Sequence, residues 1–232
     1  WPCYVRLTQL TDRGRSAGSP LDDETRDALA RLAAQVSGSR RTLPATAFEL
    51  RRLTRPDVVR EFIAVTAELR PHNPVTLTTL AWTANGIEDY ALAVELMERI
   101  LVLDDANFDA LNYVGYTWAE LGVNLEQAEV YIREALFLRG DDGNILDSLA
   151  WVLFRQERFE EALEVQLRAV ELVEDNAILW DHLGDIRLEL GDLEGAISAW
   201  ERAMETVGER DEDVAETVPA KIEGVRQRLD AP

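Results

Sequence analysis

Small residues recur at a fixed interval along the second half of the chain. Three alanines are evenly spaced, at Ala128, Ala162 and Ala196. Each is followed seven residues later by another alanine, at positions 135, 169 and 203. Seven residues make two helical turns, so both members of a pair lie on one helix face. The pattern predicts a helix with a small-residue stripe that is repeated with a period of about 34 residues.

A second amphipathic helix is predicted upstream of each alanine pair. Leu111 and Val114 mark its apolar face in one copy, and Leu146 and Leu149 mark it in the next. A small residue recurs on this helix at nearly the same interval, namely at Ala81, Gly115, Ala150 and Gly184. One helix pair cannot bury its apolar faces alone, so the copies are expected to stack and share a core. The prediction is an all-α fold of stacked helix pairs, which approach closely at the small residues.

These positions resemble the tetratricopeptide repeat. The best-matching copy carries the expected residues at Trp180, Leu183, Gly184, Gly191, Leu193, Ala196, Trp200 and Ala203. The resemblance covers four segments, 74–107, 108–142, 143–176 and 177–210, the second of which has one extra residue in its turn. It implies a right-handed α-solenoid of helix-turn-helix repeats closed by a C-terminal capping helix.

Weaker patterns assign the segments on either side of the four repeats. Residues 1–19 mix Gly, Ser and Arg with a few apolar residues and are predicted to form an extended arm or linker. Residues 20–73 are predicted to form N-terminal helices, including a degenerate repeat over 40–73. Residues 211–232 are predicted to form the capping helix and tail, with the helix starting at Pro219, because a solenoid needs a half-polar cap on its last open face.

The resemblance also implies a set of partner-binding side chains. In tetratricopeptide arrays the second, fifth, ninth and twelfth to thirteenth positions of each first helix face a concave groove. The positions carried over are Trp82, Asn85, Asn112, Tyr116, Asp147, Trp151, Phe154, Arg155, Asp181 and Asp185. Trp82, Tyr116 and Trp151 are thereby expected to form an aromatic ladder beside amide and carboxylate groups. In the alternative interpretation, these rings only pack between adjacent first helices.

Charge narrows the class of partner. The chain of 232 residues has a net charge of −20. Residues 1–72 carry 12 arginines against 9 acidic residues, so the excess of acid lies in the repeats. Nucleic acid is excluded as a partner because nothing compensates the repulsion between two polyanions. A groove with rings and carboxylates is expected to take a protein or peptide with apolar anchors and Lys or Arg between them.

Little in the sequence points to catalysis. The chain has one cysteine and two histidines, and it lacks the phosphate-binding, dinucleotide-binding, nucleophile-elbow and zinc-protease motifs. His182 is interpreted as a packed or groove-lining side chain and the acidic turns as helix caps. We therefore expect no enzymatic activity, no catalytic residues, no metal and no cofactor. No run of apolar residues is long enough to span a membrane, which leaves peripheral association with an envelope open.

The function favoured at this point is a non-enzymatic scaffold, which binds a partner in the concave groove and organises a multiprotein complex. Two alternatives stay open: a structural subunit held by its convex face or its N-terminal arm, and a regulatory or targeting domain cut from a larger enzyme. Because the chain begins with Trp1, a processed or trimmed chain is expected. The resemblance to bacterial tetratricopeptide proteins, many of them envelope-associated, favours the periplasm or envelope over the cytoplasm.

Overall fold

The computed structural model describes residues 21–52, 55–208 and 211–229. All regular structure in these residues is helical, which confirms the predicted all-α fold class. The arm predicted over 1–19 lies outside the described residues. The helices are α1 Asp23–Val36, α2 Thr42–Arg51, α3 Pro56–Leu69, α4 Pro74–Asn85, α5 Tyr90–Leu103, α6 Phe108–Leu121, α7 Leu125–Arg139, α8 Gly143–Arg155, α9 Phe159–Leu172, α10 Ala177–Glu189, α11 Leu193–Thr206 and α12 Glu212–Leu229.

The chain divides into two compact units, residues 1–110 and 111–232. The division falls within the first turn of α6, whereas the sequence changes its charge balance near residue 73. The net charge of a segment is a property of its exposed surface, and it does not determine which helices pack together. The predicted domain boundaries therefore stay a prediction.

The first unit is built on helices with clear start signals. The carboxylate of Asp22 accepts a hydrogen bond from the Thr25 amide at 2.8 Å, and Asn73 and Asp89 cap α4 and α5 in the same way. Pro56 opens α3, where the missing amide hydrogen costs nothing. Its core consists of apolar side chains that are almost fully buried, including Leu29, Leu50, Phe62, Ile63, Leu77 and Leu80.

The second unit packs α7 to α12 through the small residues that define the repeat. All six alanines of the periodic stripe are fully buried, at positions 128, 135, 162, 169, 196 and 203. Gly184 of α10 lies directly against the Trp200 ring of α11, so closely that a methyl group on Gly184 would approach Trp200 Cε2 to 2.7 Å and other ring atoms more closely. The small residues therefore set how closely paired helices approach.

The turns repeat with the same period as the helices. Glu88, Gly122, Glu157 and Gly191 are each left-handed, with φ between 59° and 78°, and they recur at nearly the same interval as the alanines. Asn124, close to the extra residue of the second repeat, is left-handed as well. The insertion is thus accommodated in the turn, and the neighbouring helices keep their register.

The C-terminal helix begins earlier than predicted. It starts at Glu212 and contains Pro219 in its interior, whereas the sequence interpretation placed its start at Pro219. The reason is burial: Val214 and Val218 of the extra turns pack with Ile222 and Val225 against the Trp200 cluster of the last repeat. That apolar contact outweighs the one backbone hydrogen bond that proline cannot donate. The predicted capping helix is present and covers α10 and α11.

Candidate functional site

Two of the predicted site residues lie in the first unit, on α4. The Trp82 side chain is 53% exposed, and Asn85 lies one turn further along the same helix and is partly buried. Helical spacing of three residues places them on neighbouring positions of one face.

The other eight residues lie in the second unit, on its three first helices α6, α8 and α10. Residues four positions apart lie on one face of a helix. Asn112 therefore shares a face with Tyr116, Asp147 with Trp151, and Asp181 with Asp185. Phe154 and Arg155 complete the set at the end of α8. We call this surface the first-helix face; it consists of Asn112, Tyr116, Asp147, Trp151, Phe154, Arg155, Asp181 and Asp185.

Trp151 is the centre of an aromatic stack on this face. Its ring lies 4.9 Å from the Phe154 ring at an interplanar angle of 12°, and 4.2 Å from the His182 ring at 15°. Since His182 belongs to the next first helix, Trp151 does pack between adjacent first helices, as the alternative interpretation expected. The Trp151 side chain also stays partly exposed, so part of its surface is still accessible to a partner.

Two polar atoms of the face are left without a partner. Asn112 Oδ1 and Trp151 Nε1 are both buried, and neither makes a hydrogen bond within the described part of the chain. A buried acceptor or donor that is unsatisfied costs free energy. Because both atoms are shielded from solvent, they are a local cost of the fold, and a partner reaches them only where neighbouring side chains move.

Asp147 is a structural carboxylate under the surface. Gln166 Nε2 donates to Asp147 Oδ1 at 2.7 Å and also to the Leu179 carbonyl oxygen at 2.7 Å. His182 Nδ1 donates to the same Asp147 oxygen at 2.9 Å. The sequence analysis placed Asp147 among the groove carboxylates that attract a basic partner. The structure instead buries Asp147, and its hydrogen bonds tie α8 to α9 and α10.

Burial and neighbouring carboxylates shift two pKa values here. Burial alone lowers the pKa of His182, but the charge and hydrogen bond of Asp147, with Asp181 and Asp185 nearby, outweigh it and raise that pKa above its ordinary value. Burial raises the pKa of the Tyr116 phenol, and the charges of Glu120 and Asp147 raise it further. Tyr116 is therefore a neutral hydroxyl at physiological pH.

Asp181 and Asp185 are both bound to Lys221 of α12. Lys221 Nζ donates to Asp181 Oδ1 at 2.7 Å and to both Asp185 oxygens at 2.8 Å. Burial and the charge of Asp181 raise the pKa of Asp185, which Lys221 opposes. Sequence reasoning missed Lys221. The available signal was that it is the only lysine in the chain and lies on the capping helix.

Arg155 fixes the edge of the face. Its Nη1 donates to the Glu120 carbonyl oxygen at 2.8 Å, and its guanidinium covers the left-handed Gly122 in the turn after α6. A cation at a helix C-terminus is favoured by the helix dipole. Arg155 therefore stabilises the turn as well as contributing to the surface.

No group of three His, Cys, Asp or Glu side chains in the described residues is arranged to hold a metal ion. Among those same residues no helix is both long enough and apolar enough to cross a membrane.

Comparison with known proteins gives one match to a family model and several relatives. The family model for the tetratricopeptide repeat matches residues 144–175. Tetratricopeptide repeat protein 8 of Caenorhabditis elegans is 24% identical over 204 residues, covering 87% of this chain and 38% of that protein. The chain therefore spans well under half the length of this relative.

Solved structures are similar in fold. A thermophilic TPR protein of Thermus thermophilus superposes with a TM-score of 0.64 at 17% identity, covering 78% of this chain and 98% of its own. A chain of the APC/C hetero-tetramer Cut9–Hcn1 also gives 0.64, at 16% identity, covering all of this chain and 40% of its own. At such identities the similarity shows the fold alone.

Proposed function

Since the chain is a tetratricopeptide-repeat protein, we propose that it is a non-enzymatic scaffold whose first-helix face binds a partner protein or peptide and so organises a multiprotein complex. Stacked helix repeats offer a long surface and no enclosed catalytic site. One solved chain with a similar fold belongs to a hetero-tetramer, so this fold is compatible with an assembly role.

The observation that carries this proposal is the surroundings of Trp151. A stacked, partly exposed indole lies on this face between the rings of Phe154 and His182. An extended peptide brings apolar side chains that can pack on the exposed part of these rings. Tryptophan and tyrosine bury much area at little entropic cost, which makes them strong anchors in interfaces.

The partner is proposed to be basic and apolar. The net charge of −20 disfavours acidic partners and attracts basic ones. On the first-helix face itself Asp147 is committed to internal hydrogen bonds, so the attraction comes from exposed acids such as Glu120 and from the general field. Nucleic acid is disfavoured for the same reason.

Trp82 is proposed as a separate anchor in the first unit. It is the largest exposed aromatic side chain among the described residues of that unit, and Asn85 beside it supplies an amide.

A defined synthetic peptide tests the proposal. The probe is an extended peptide with leucine anchors separated by arginines, and the comparison peptide has glutamates in place of the arginines. We expect calorimetry to detect binding of the arginine peptide only, with affinity falling as salt rises. Trp151→Leu, which keeps the helix but removes the ring, is expected to weaken binding by about 2 kcal/mol.

Phe137→Ala is the matched control, because it also removes an aromatic ring from the second unit. Phe137 is 88% exposed on α7 and lies outside the first-helix face. Equal affinity in wild type and Trp151→Leu, with circular dichroism unchanged, would remove the first-helix face as the binding site.

A structural subunit held by its outer face is the second candidate. Phe137 and Val130 are strongly exposed and lie seven residues apart on α7, which places them on one side of that helix. Exposed apolar side chains in such a row are typical of protein contacts. Loss of partner assembly in Phe137→Ala, but not in Trp151→Leu, would favour this function.

A further inference from the structure

Lys221 occupies a site between two carboxylates where a lysine or arginine of a basic partner could also bind. Its Nζ lies between Asp181 and Asp185, two carboxylates of the first-helix face, at 2.7 to 2.8 Å. The lysine side chain is 29% exposed, and the two carboxylates are 14% and 20% exposed. The cationic group is therefore at the edge of solvent, where a competing cation can reach it.

A nearby cation stabilises the two carboxylates of Asp181 and Asp185, which we call the acid pair. Asp181 and Asp185 lie four residues apart on α10, where like charges repel each other. Partial burial strengthens that repulsion, since less water screens it. A single ammonium with three donors satisfies both carboxylates at once.

The docking of α12 also rests on apolar contacts in which the ion pair takes no part. Val214, Val218, Ile222 and Val225 pack the helix against the cluster around Trp200. The lysine head is held at the end of a flexible four-carbon stem, which can swing away while the helix stays docked. Movement of one side chain is thus enough to free the acid pair.

We propose that Lys221 is an internal competitor that regulates the first-helix face. In the free protein its ammonium group neutralises Asp181 and Asp185, and a lysine or arginine of the bound partner takes its place. This inference rests on the proposed binding function of the same face. It adds that binding releases Lys221 into solvent and that the competition lowers the affinity of every partner whose cation must displace Lys221 from the two carboxylates.

The single lysine makes release directly measurable. An amine-acylating reagent modifies only Lys221 and the chain N-terminus, and peptide mapping by mass spectrometry separates the two. The arginine–leucine peptide with a blocked N-terminus carries no amine of its own. At saturation it is expected to raise the acylation rate of Lys221 several-fold, because the freed ammonium is no longer bonded to two carboxylates that hold its proton. The glutamate–leucine peptide is expected to leave the rate unchanged.

Two substitutions on α12 provide the affinity test. Lys221→Gln removes the competitor and is expected to tighten binding of the arginine–leucine peptide about tenfold at low salt. Arg226→Gln is the matched control: it removes the same charge from the same helix, but Arg226 pairs with Glu201 on α11. Its affinity is expected to stay at that of wild type.

The outcomes separate this inference from the function on which it rests. Peptide binding with faster acylation of Lys221 supports both. Peptide binding with an unchanged acylation rate, or equal affinities in Lys221→Gln and Arg226→Gln, overturns the competition and leaves the binding function standing. Absence of peptide binding in wild type and in Lys221→Gln overturns both. The acylation measurement on the wild-type protein decides the matter even if Lys221→Gln proves unstable.

Discussion

Replacing Gly184 with alanine adds one methyl group at the closest approach of α10 and α11. The new Cβ would lie 2.7 Å from Trp200 Cε2 and closer still to neighbouring ring atoms. Trp200 is fully buried, and rings in a close-packed core turn only if their neighbours move. The helices must therefore separate locally or the ring must leave its preferred rotamer.

The cost follows from two opposing contributions. Overpacking of a well-packed core costs roughly 1–3 kcal/mol. Alanine in a helix interior is favoured over glycine by about 1 kcal/mol, which offsets part of that cost. We expect Gly184→Ala to change the free energy of unfolding by a net loss of about 0–2 kcal/mol, which lowers the melting temperature by up to about 8 °C for a chain of this size.

Gly224→Ala isolates the steric contribution. Gly224 also lies inside a helix, α12, but an added Cβ there meets no atom of the described residues within 4 Å. The gain in helix propensity is common to both substitutions, so their difference measures the clash with Trp200. We expect Gly224→Ala to stabilise by about 0.5–1 kcal/mol. Thermal and denaturant unfolding that gave the two variants equal stability would refute the close packing of Gly184 on Trp200.

Three further predictions concern stability. Ala162→Leu is expected to destabilise by roughly 1–3 kcal/mol in denaturant unfolding, because Ala162 is fully buried in the repeat stripe; an unchanged midpoint would remove that register. Deleting residues 211–232 is expected to cause self-association or faster hydrogen exchange over 177–206, because the Trp200 cluster loses its cover; a monomer with unchanged exchange would contradict the capping role. The raised pKa of His182 means that its ion pair stabilises the protein below pH 6.5 and that this contribution is lost as pH rises through the folded-state value. The stability gap between wild type and His182→Asn should therefore narrow as the pH rises above 6.5, and a gap independent of pH would contradict the ion pair.

Most of the fold was predictable from the periodicity of the sequence. A constant interval between alanines reports packing directly, because only a small side chain fits where two helices touch, and all six of those alanines are buried. Proline is typical of a first helical turn, so the sequence predicts that α12 starts at Pro219. In the structure the burial of Val214 and Val218 extends the helix on the N-terminal side of Pro219. Such burial depends on contacts distant in the chain, which a local pattern does not contain.

The sequence places the candidate residues on common helix faces, but it does not contain their contacts. The spacing of four residues places Asp147 with Trp151, and Asp181 with Asp185, on common helix faces. Whether a carboxylate is solvated depends on partners far away in sequence: Asp147 pairs with His182 and Gln166, and the other two pair with Lys221 on the capping helix. These pairings follow from how helices stack, so they appear only in three dimensions.

Site-specific photocrosslinking tests the central claim, that the partner binds on the first-helix face of the second unit. A photoreactive phenylalanine analogue replaces Tyr116 on that face in one variant and Phe137 on the outer side of α7 in another, so that each substitution exchanges one aromatic side chain for another. Irradiation in the host cells, followed by mass spectrometry of the crosslinked product, identifies what lies against each position. The account predicts a crosslinked partner from position 116 and none from position 137. A partner crosslinked from position 137 alone would contradict it and would place the contact on the outer face.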